Sequence, residues 1–97
     1  MNIRKKGYRD SKFNKSQQST MRTFKEIAME IRQKWANISP YAYPYLDAML
    51  DIDSTDKNAP YYYDSAQSVV LYFLANAQGF RGNDAKRIKA ELRSMIK

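Results

Sequence analysis

Residues 66–77 read Ala-Gln-Ser-Val-Val-Leu-Tyr-Phe-Leu-Ala-Asn-Ala, the most apolar stretch of this 97-residue chain. Apolar side chains recur there every three or four positions, the period that places them on one face of an α-helix. The stripe consists of Ala66, Val69, Val70, Phe73, Leu74 and Ala77, and Leu71 and Tyr72 widen it. The pattern predicts a helix at the centre of the core. We expect Asp64 to be its N-cap, and Gly79 to end it in a left-handed C-cap with Phe80 packing back.

Three further segments show helical periodicity around this one. The first begins at Thr23, where Thr23 and Glu26 form a capping box, and ends near Asn37 with Trp35 as a core anchor. The second begins at Pro44, since proline is tolerated in a first turn. The last is capped by Asn83 or Asp84. Their predicted buried residues are Phe24, Ile27, Ala28, Ile31 and Trp35; Leu46, Met49 and Leu50; and Ala85, Ile88, Leu92, Met95 and Ile96.

No stretch shows the alternation of a β-strand, so the predicted fold is all-α, a small bundle of three to four helices. Residues 21–97 are expected to form a single helical domain. Residues 1–20 are polar and basic without either period, which predicts a disordered basic N-terminal arm. The last two helices partly match a helix-turn-helix motif, but an αα-hairpin with no DNA role is the favoured interpretation.

Composition excludes several kinds of chemistry. The chain has no cysteine and no histidine, which excludes thiol catalysis, disulfides and zinc sites built from those residues. No catalytic set or glycine-rich phosphate loop is present, so we expect neither an enzyme nor a cofactor. The loop of residues 51–60 matches an EF-hand only in Asp51 and Asp53; Asp56 stands where glycine is required and Tyr62 where glutamate is required. No metal site is expected.

The sequence also gives expectations about location. No apolar run approaches the roughly 20 residues that cross a bilayer, so no membrane contact is expected. Residues 1–20 have no apolar segment of the secretory kind. These features favour a cytoplasmic protein.

Charge is distributed unevenly along the chain, whose net charge is +7. Residues 1–25 carry eight cations against Asp10 alone, residues 26–80 three cations against seven carboxylates, and residues 81–97 six cations against two. Basic ends of this kind are typical of contact with nucleic acid or an anionic surface. The cations predicted to contact phosphates of DNA or RNA are Arg81, Lys86, Lys89, Arg93 and Lys97 of the last segment, and Arg4, Lys5, Lys6 and Arg9 of the arm.

Tyrosines favour a second interpretation. Two groups flank the acidic loop: Tyr41, Tyr43 and Tyr45 before it, and Tyr61, Tyr62 and Tyr63 after it. Tyrosine supplies rigid contact area with a polar tip, which suits a protein interface. In this second interpretation, the tyrosines and the loop of residues 51–60 dock on a partner protein that handles nucleic acid.

Five strings of the chain carry a resemblance to a known family. They are TFKEIA at 23–28, YLDAM at 45–49, VLYFLANA at 70–77, RG at 81–82 and AKRIKAEL at 85–92. Residues 23–97 thereby resemble a family of small uncharacterised proteins encoded by bacteriophages and mobile elements of Gram-positive bacteria. The resemblance implies no established activity. It implies an accessory protein that acts in a bacterial host by binding, and inhibition of a host defence nuclease, as in anti-CRISPR proteins, is one such role.

Overall fold

The computed structural model describes residues 21–97, so the predicted arm of residues 1–20 lies outside the described part. The described chain contains four helices: α1 (Phe24–Lys34), α2 (Tyr43–Leu50), α3 (Ala66–Ala75) and α4 (Asn83–Met95). A two-stranded antiparallel hairpin, β1 (Pro60–Tyr61) and β2 (Asp64–Ser65), precedes α3. The predicted all-α helical bundle is confirmed. The two strands of the hairpin contain two residues each and are too short to show the alternation of a β-strand in the sequence.

Apolar side chains from all four helices form one buried cluster. Helix α1 packs on α2 and α4, and α2 also packs on α3. The largest fully buried side chains are Phe24, Ile27, Ile31, Leu46, Met49, Val70, Phe73, Ile88 and Leu92, all predicted from the helical period. Leu50 and Leu74 are only partly buried and pack against the edge of the cluster. Helices α3 and α4 are not one of the closely packed pairs, so they do not form a tightly packed αα-hairpin.

Trp35 fixes the end of α1 in the core. Its indole is 6 % exposed, stacks on Phe80 with ring centroids 5.2 Å apart, and meets the edge of Phe73 at 6.2 Å. The prediction of a core anchor is therefore confirmed. The capping box at Thr23 is also confirmed, since its Oγ1 accepts from the Glu26 amide at 3.1 Å. The helix ends at Lys34, three positions before the expected end, because Trp35 already has extended backbone.

The cap of α3 is displaced by one residue from the prediction. Asp64 belongs to β2, and the side chain of Ser65 accepts from the Ser68 amide at 3.2 Å as the N-cap. Leu71 and Tyr72 are about half-exposed, at 53 % and 54 %, because they flank the solvent side of α3. The predicted stripe was therefore too wide.

The connection from α3 to α4 also differs from the prediction. Helix α3 ends at Ala75 with Asn76 as its C-cap, so Gly79 is not a C-cap and has no left-handed backbone. Gly82 has that backbone instead, with φ of 103°, and occupies the N-cap position of α4 in place of Asn83 or Asp84. Among the helices of residues 21–97, none has the length and apolar character that a membrane span requires.

Candidate nucleic-acid interface

Helix α4 has two differently charged edges beside its buried face. Residues three, four or seven apart on a helix share a side, so Lys86 and Arg93 lie on one edge and Asp84, Arg87 and Glu91 on the other. Both carboxylates of α4 thus lie on the edge that faces α1. This division determines which cations of the helix remain accessible.

The edge facing α1 forms an ionic network, which we call the α1–α4 seam. Arg22, just before α1, binds Glu91 through two bonds, Nε to Oε2 at 3.1 Å and Nη2 to Oε1 at 2.6 Å. Its Nη1 also donates to Oε1 of Glu30 at 2.8 Å. The other oxygen of Glu30 accepts from Arg87 at 2.7 Å. A carboxylate of α1 is therefore held between two guanidinium groups.

The seam continues to Asp84 at the start of α4. Arg87 donates to Oδ1 of Asp84 at 3.1 Å, and Lys34 lies 3.5 Å from its Oδ2. The network balances three cations against three carboxylates: Arg22, Lys34 and Arg87 against Glu30, Asp84 and Glu91. Charge on this side of α4 is consequently neutralised within the fold.

The acidity of the seam carboxylates reflects these contacts. Hydrogen bonds from Arg87 and then Arg22 lower the pKa of Glu30 from 4.5 to about 2. The hydrogen bond from Arg87 and the charge of Lys34 lower the pKa of Asp84. Both carboxylates are thus held in their ionised form.

The opposite edge carries the predicted phosphate contacts, and we call Arg81, Lys86, Arg93 and Lys97 the cationic edge. All four side chains are exposed. Within residues 21–97 none of the four side chains forms a salt bridge. Arg81 is oriented by a 3.3 Å bond from its Nε to the Gln78 carbonyl. The positive charge of this edge is therefore not neutralised by the described part of the chain.

Lys89, also predicted to contact phosphates, differs from its neighbours because its ammonium group binds the fold itself. Its Nζ donates to the carbonyl oxygens of Ala77 and Phe80, each at 2.8 Å, and lies 5.9 Å from the centre of the Phe80 ring. Burial, followed by the charges of Arg93 and Arg81, lowers the pKa of Lys89. Through its two hydrogen bonds, Lys89 stabilises the connection between α3 and α4.

The two tyrosine groups occupy different surroundings. Tyr41 and Tyr43 are exposed, whereas Tyr45 is partly buried and stacks on Tyr72 of α3 with centroids 5.4 Å apart. The sequence interpretation missed the contact between Tyr45 and Tyr72. Tyr45 and Tyr72 lie on different helices, so no spacing within one helix predicts their contact.

Tyr61 joins the second group to α2. Burial, then the nearby carboxylates of Asp51 and Asp47, raise the pKa of Tyr61. The Tyr62 ring meets Tyr61 edge-on at 4.8 Å. The exposed side of α2 thus continues into the hairpin. We call this surface the tyrosine–aspartate face, and it consists of Tyr43, Asp47, Asp51, Tyr61 and Tyr62.

Tyr62 and Tyr63 form the tip of the hairpin. Tyr62 is 85 % exposed and has a φ of 56°, a left-handed backbone that is costly for a residue with a Cβ. Tyr63 is fully exposed. The fold therefore presents two aromatic rings to solvent at a strained turn.

The remaining predicted site residues, Arg4, Lys5, Lys6 and Arg9, lie outside the described residues. In the described part of the chain no three acidic side chains come together in a way that could hold a metal ion. The seam is a feature that sequence reasoning missed. The spacing of Asp84, Arg87 and Glu91 signals a charged helix edge, but their partners Arg22 and Glu30 are distant in sequence.

Comparison of this chain with protein-family models, with curated proteins and with solved structures finds no match.

Proposed function

We propose that this protein is a non-enzymatic module that binds the phosphate backbone of DNA or RNA through the cationic edge. The observation that carries the proposal is the division of charge on α4. Asp84 and Glu91 are paired across the seam, whereas Lys86 and Arg93 are exposed and make no ion pair within residues 21–97. A cationic row without a carboxylate beside it attracts a polyanion.

The spacing of the edge suits a nucleic-acid backbone. Lys86 and Arg93 are seven residues apart, which is about 10 Å along a helix that rises 1.5 Å per residue. Double-stranded DNA carries one negative charge per about 1.7 Å of its axis, so both cations meet phosphates at once. Arg81 extends the row at the start of α4. The basic residues of the arm, Arg4, Lys5, Lys6 and Arg9, add further phosphate contacts, as their charge predicts.

A binding titration with two matched variants tests the proposal. The edge variant is K86Q/R93Q. The control variant is K25Q/R32Q, which removes the same residue types at the same spacing from α1, where both side chains are exposed and unpaired in the described structure. The full chain is titrated into random-sequence duplex DNA, single-stranded DNA and RNA, and anisotropy is measured. We expect the edge variant to bind all three about 10-fold more weakly or worse.

The control variant removes charges from α1 and keeps the cationic edge intact, so its affinity is expected to stay close to that of the parent. Equal weakening in both variants would show that only total charge matters, and would overturn the assignment of the edge. No binding by the parent would overturn the proposal itself.

The exposed tyrosines favour a second candidate function. Tyr41, Tyr43, Tyr62 and Tyr63 are all exposed, and aromatic side chains of this kind are enriched in protein interfaces. On this candidate the protein inhibits a nucleic-acid-handling host protein, such as a defence nuclease of the CRISPR type. The substitutions Tyr43→Ser and Tyr62→Ser discriminate between the two. They abolish inhibition if this candidate is right and leave nucleic-acid binding unchanged if the first one is right.

A further inference from the structure

We infer that the tyrosine–aspartate face is a docking surface for the chain's own basic segment, residues 1–20. The inference concerns the free protein, and it does not depend on whether the cationic edge binds a polyanion. It rests on the chemistry of the face, on the place where the described chain begins, and on the charge of the segment that precedes it.

The face combines aromatic rings with two carboxylates, of which Asp51 is hydrogen-bonded by Tyr61. Tyr43 and Asp47 lie four residues apart on the exposed side of α2, and Asp51 continues this spacing at the C-cap. Within residues 21–97 neither carboxylate forms a salt bridge. Tyrosine rings attract ammonium and guanidinium groups through their faces, and carboxylates pair with the same groups. The face is therefore chemically suited to a peptide rich in lysine and arginine.

The hairpin contributes Tyr61 and Tyr62 to the tyrosine–aspartate face, and the backbone of Tyr62 is strained. The left-handed backbone of Tyr62, with φ of 56°, is one that glycine adopts without cost. An exposed tyrosine at such a position contributes little to the core, and 85 % of its surface faces solvent. A strained position of this kind is characteristic of a functional contact.

The start of α1 is bonded to the loop that follows Asp51. The amide of Phe24 donates to the Ser54 carbonyl at 3.0 Å, and the amide of Lys25 donates to the Ile52 carbonyl at 2.9 Å. These bonds tie the start of α1 to the residues that directly follow Asp51. The start of α1 therefore lies next to the acidic loop, and Arg22, just before it, is bound to Glu30 and Glu91 of the seam.

Residues 1–20 have the complementary charge and sufficient length. They contain Arg4, Lys5, Lys6, Arg9, Lys12 and Lys15 against Asp10. Twenty residues span up to about 70 Å when extended, far more than the distance needed to fold back over α2. Because the segment is tethered, its effective concentration at the face is high, and weak contacts suffice for docking. A separate basic protein would need to compete with this tethered occupant.

A spin label on the full chain tests the inference directly. The protein has no cysteine, so Ser11→Cys provides a unique site for a nitroxide within the basic segment. In NMR spectra the nitroxide broadens the amide signals of residues that come close to it. We expect loss of signal intensity at Tyr43, Asp47, Asp51 and Tyr62, and no loss at Lys86 and Arg93. Raising the salt toward about 1 M, where the Debye length is about 3 Å, should restore the intensities.

The variant D47N/D51N provides the second measurement. Both side chains are exposed, so the variant should retain the dispersed spectrum of the folded protein while the broadening at the face disappears. Uniform broadening, broadening centred on the seam, or broadening that survives this variant would overturn the inference. Docking between two copies of the chain is tested by mixing spin-labelled chain with isotope-labelled chain that carries no nitroxide. Broadening of the face in that mixture would make a second copy the occupant and would overturn docking within one chain.

Discussion

Two lysines three positions apart on α4 show how differently one residue type is used. Lys86 extends into solvent, whereas Lys89 places its ammonium group on the carbonyls of Ala77 and Phe80. Both carbonyls lie in the connection that follows α3, where the Ala77 oxygen also accepts from the Phe80 amide at 3.0 Å. The residue therefore contributes to the fold first and to the electrostatic potential second.

Replacing Lys89 with methionine should destabilise the protein by about 1–2 kcal/mol, because the carbonyl oxygens of Ala77 and Phe80 lose a charged donor. The same change at Lys86 should alter the free energy of unfolding by less than about 0.5 kcal/mol, since that side chain is exposed. Urea denaturation of both variants and the parent measures the difference. Equal effects at the two positions would show that the contacts of Lys89 contribute nothing.

The connection between α3 and α4 shows the same contrast between its two glycines. At Gly79 a Cβ would meet only Cζ2 of Trp35 at 3.6 Å, an ordinary contact, and the backbone is not left-handed. At Gly82 a Cβ would meet no neighbour within 4 Å, but φ is 103°. Space is therefore available at both positions, and backbone conformation alone distinguishes them.

Gly82→Ala should destabilise the protein by about 1–2 kcal/mol, because only glycine adopts that backbone without strain. Gly79→Ala should be close to neutral or stabilise by about 0.4–1 kcal/mol, since alanine reduces the freedom of the unfolded chain. Thermal melting of the two variants checks the order. A Gly79→Ala variant that is the less stable of the two would contradict the assignment.

The seam makes the packing of α1 on α4 sensitive to acid. The pKa of Glu30 is lowered in the fold to about 2 by Arg87 and Arg22, and its side chain is 19 % exposed. A carboxyl group whose folded pKa lies below its unfolded pKa stabilises the protein above the unfolded value. That contribution is lost as the pH falls through the folded value.

Stability should therefore decrease by about 1–3 kcal/mol from this group as the pH falls from about 4.5 to 2. Glu30→Gln removes the charge at every pH, so this variant should be less stable at pH 7 and should lose less on acidification. Urea denaturation across that range measures both slopes. Parallel curves for the parent and the variant would show that Glu30 is not the acid-sensitive contact.

Across residues 21–97, charge falls into three zones. The seam is neutral, the cationic edge is positive, and the tyrosine–aspartate face carries carboxylates that form no salt bridge within these residues. The packing of α1 on α4 produces this arrangement, because it uses both carboxylates of α4 on one side. Net charge alone would not distinguish such a molecule from one with evenly mixed charges.

The sequence was sufficient for the helices, the core and the capping box at Thr23, because a 3.6-residue period and a local motif record them directly. It did not show which of Gly79 and Gly82 has the left-handed backbone, because both glycines follow the apolar stripe of α3. The role of Lys89 could not be predicted, because helical spacing gives the side of the helix on which a residue lies and not the carbonyl groups that it contacts. The pairing of Arg22 with Glu91 spans 69 positions, which no local pattern records.

The salt dependence of DNA binding tests the central claim most directly. Each phosphate contact contributes about 0.9 to the slope of the logarithm of the binding constant against the logarithm of salt concentration. The slope for K86Q/R93Q should therefore be shallower than that of the parent by about two, while K25Q/R32Q keeps the parent slope. If the slopes of all three proteins coincide, or if the parent shows no salt-dependent binding, the cationic edge does not contact a phosphate backbone.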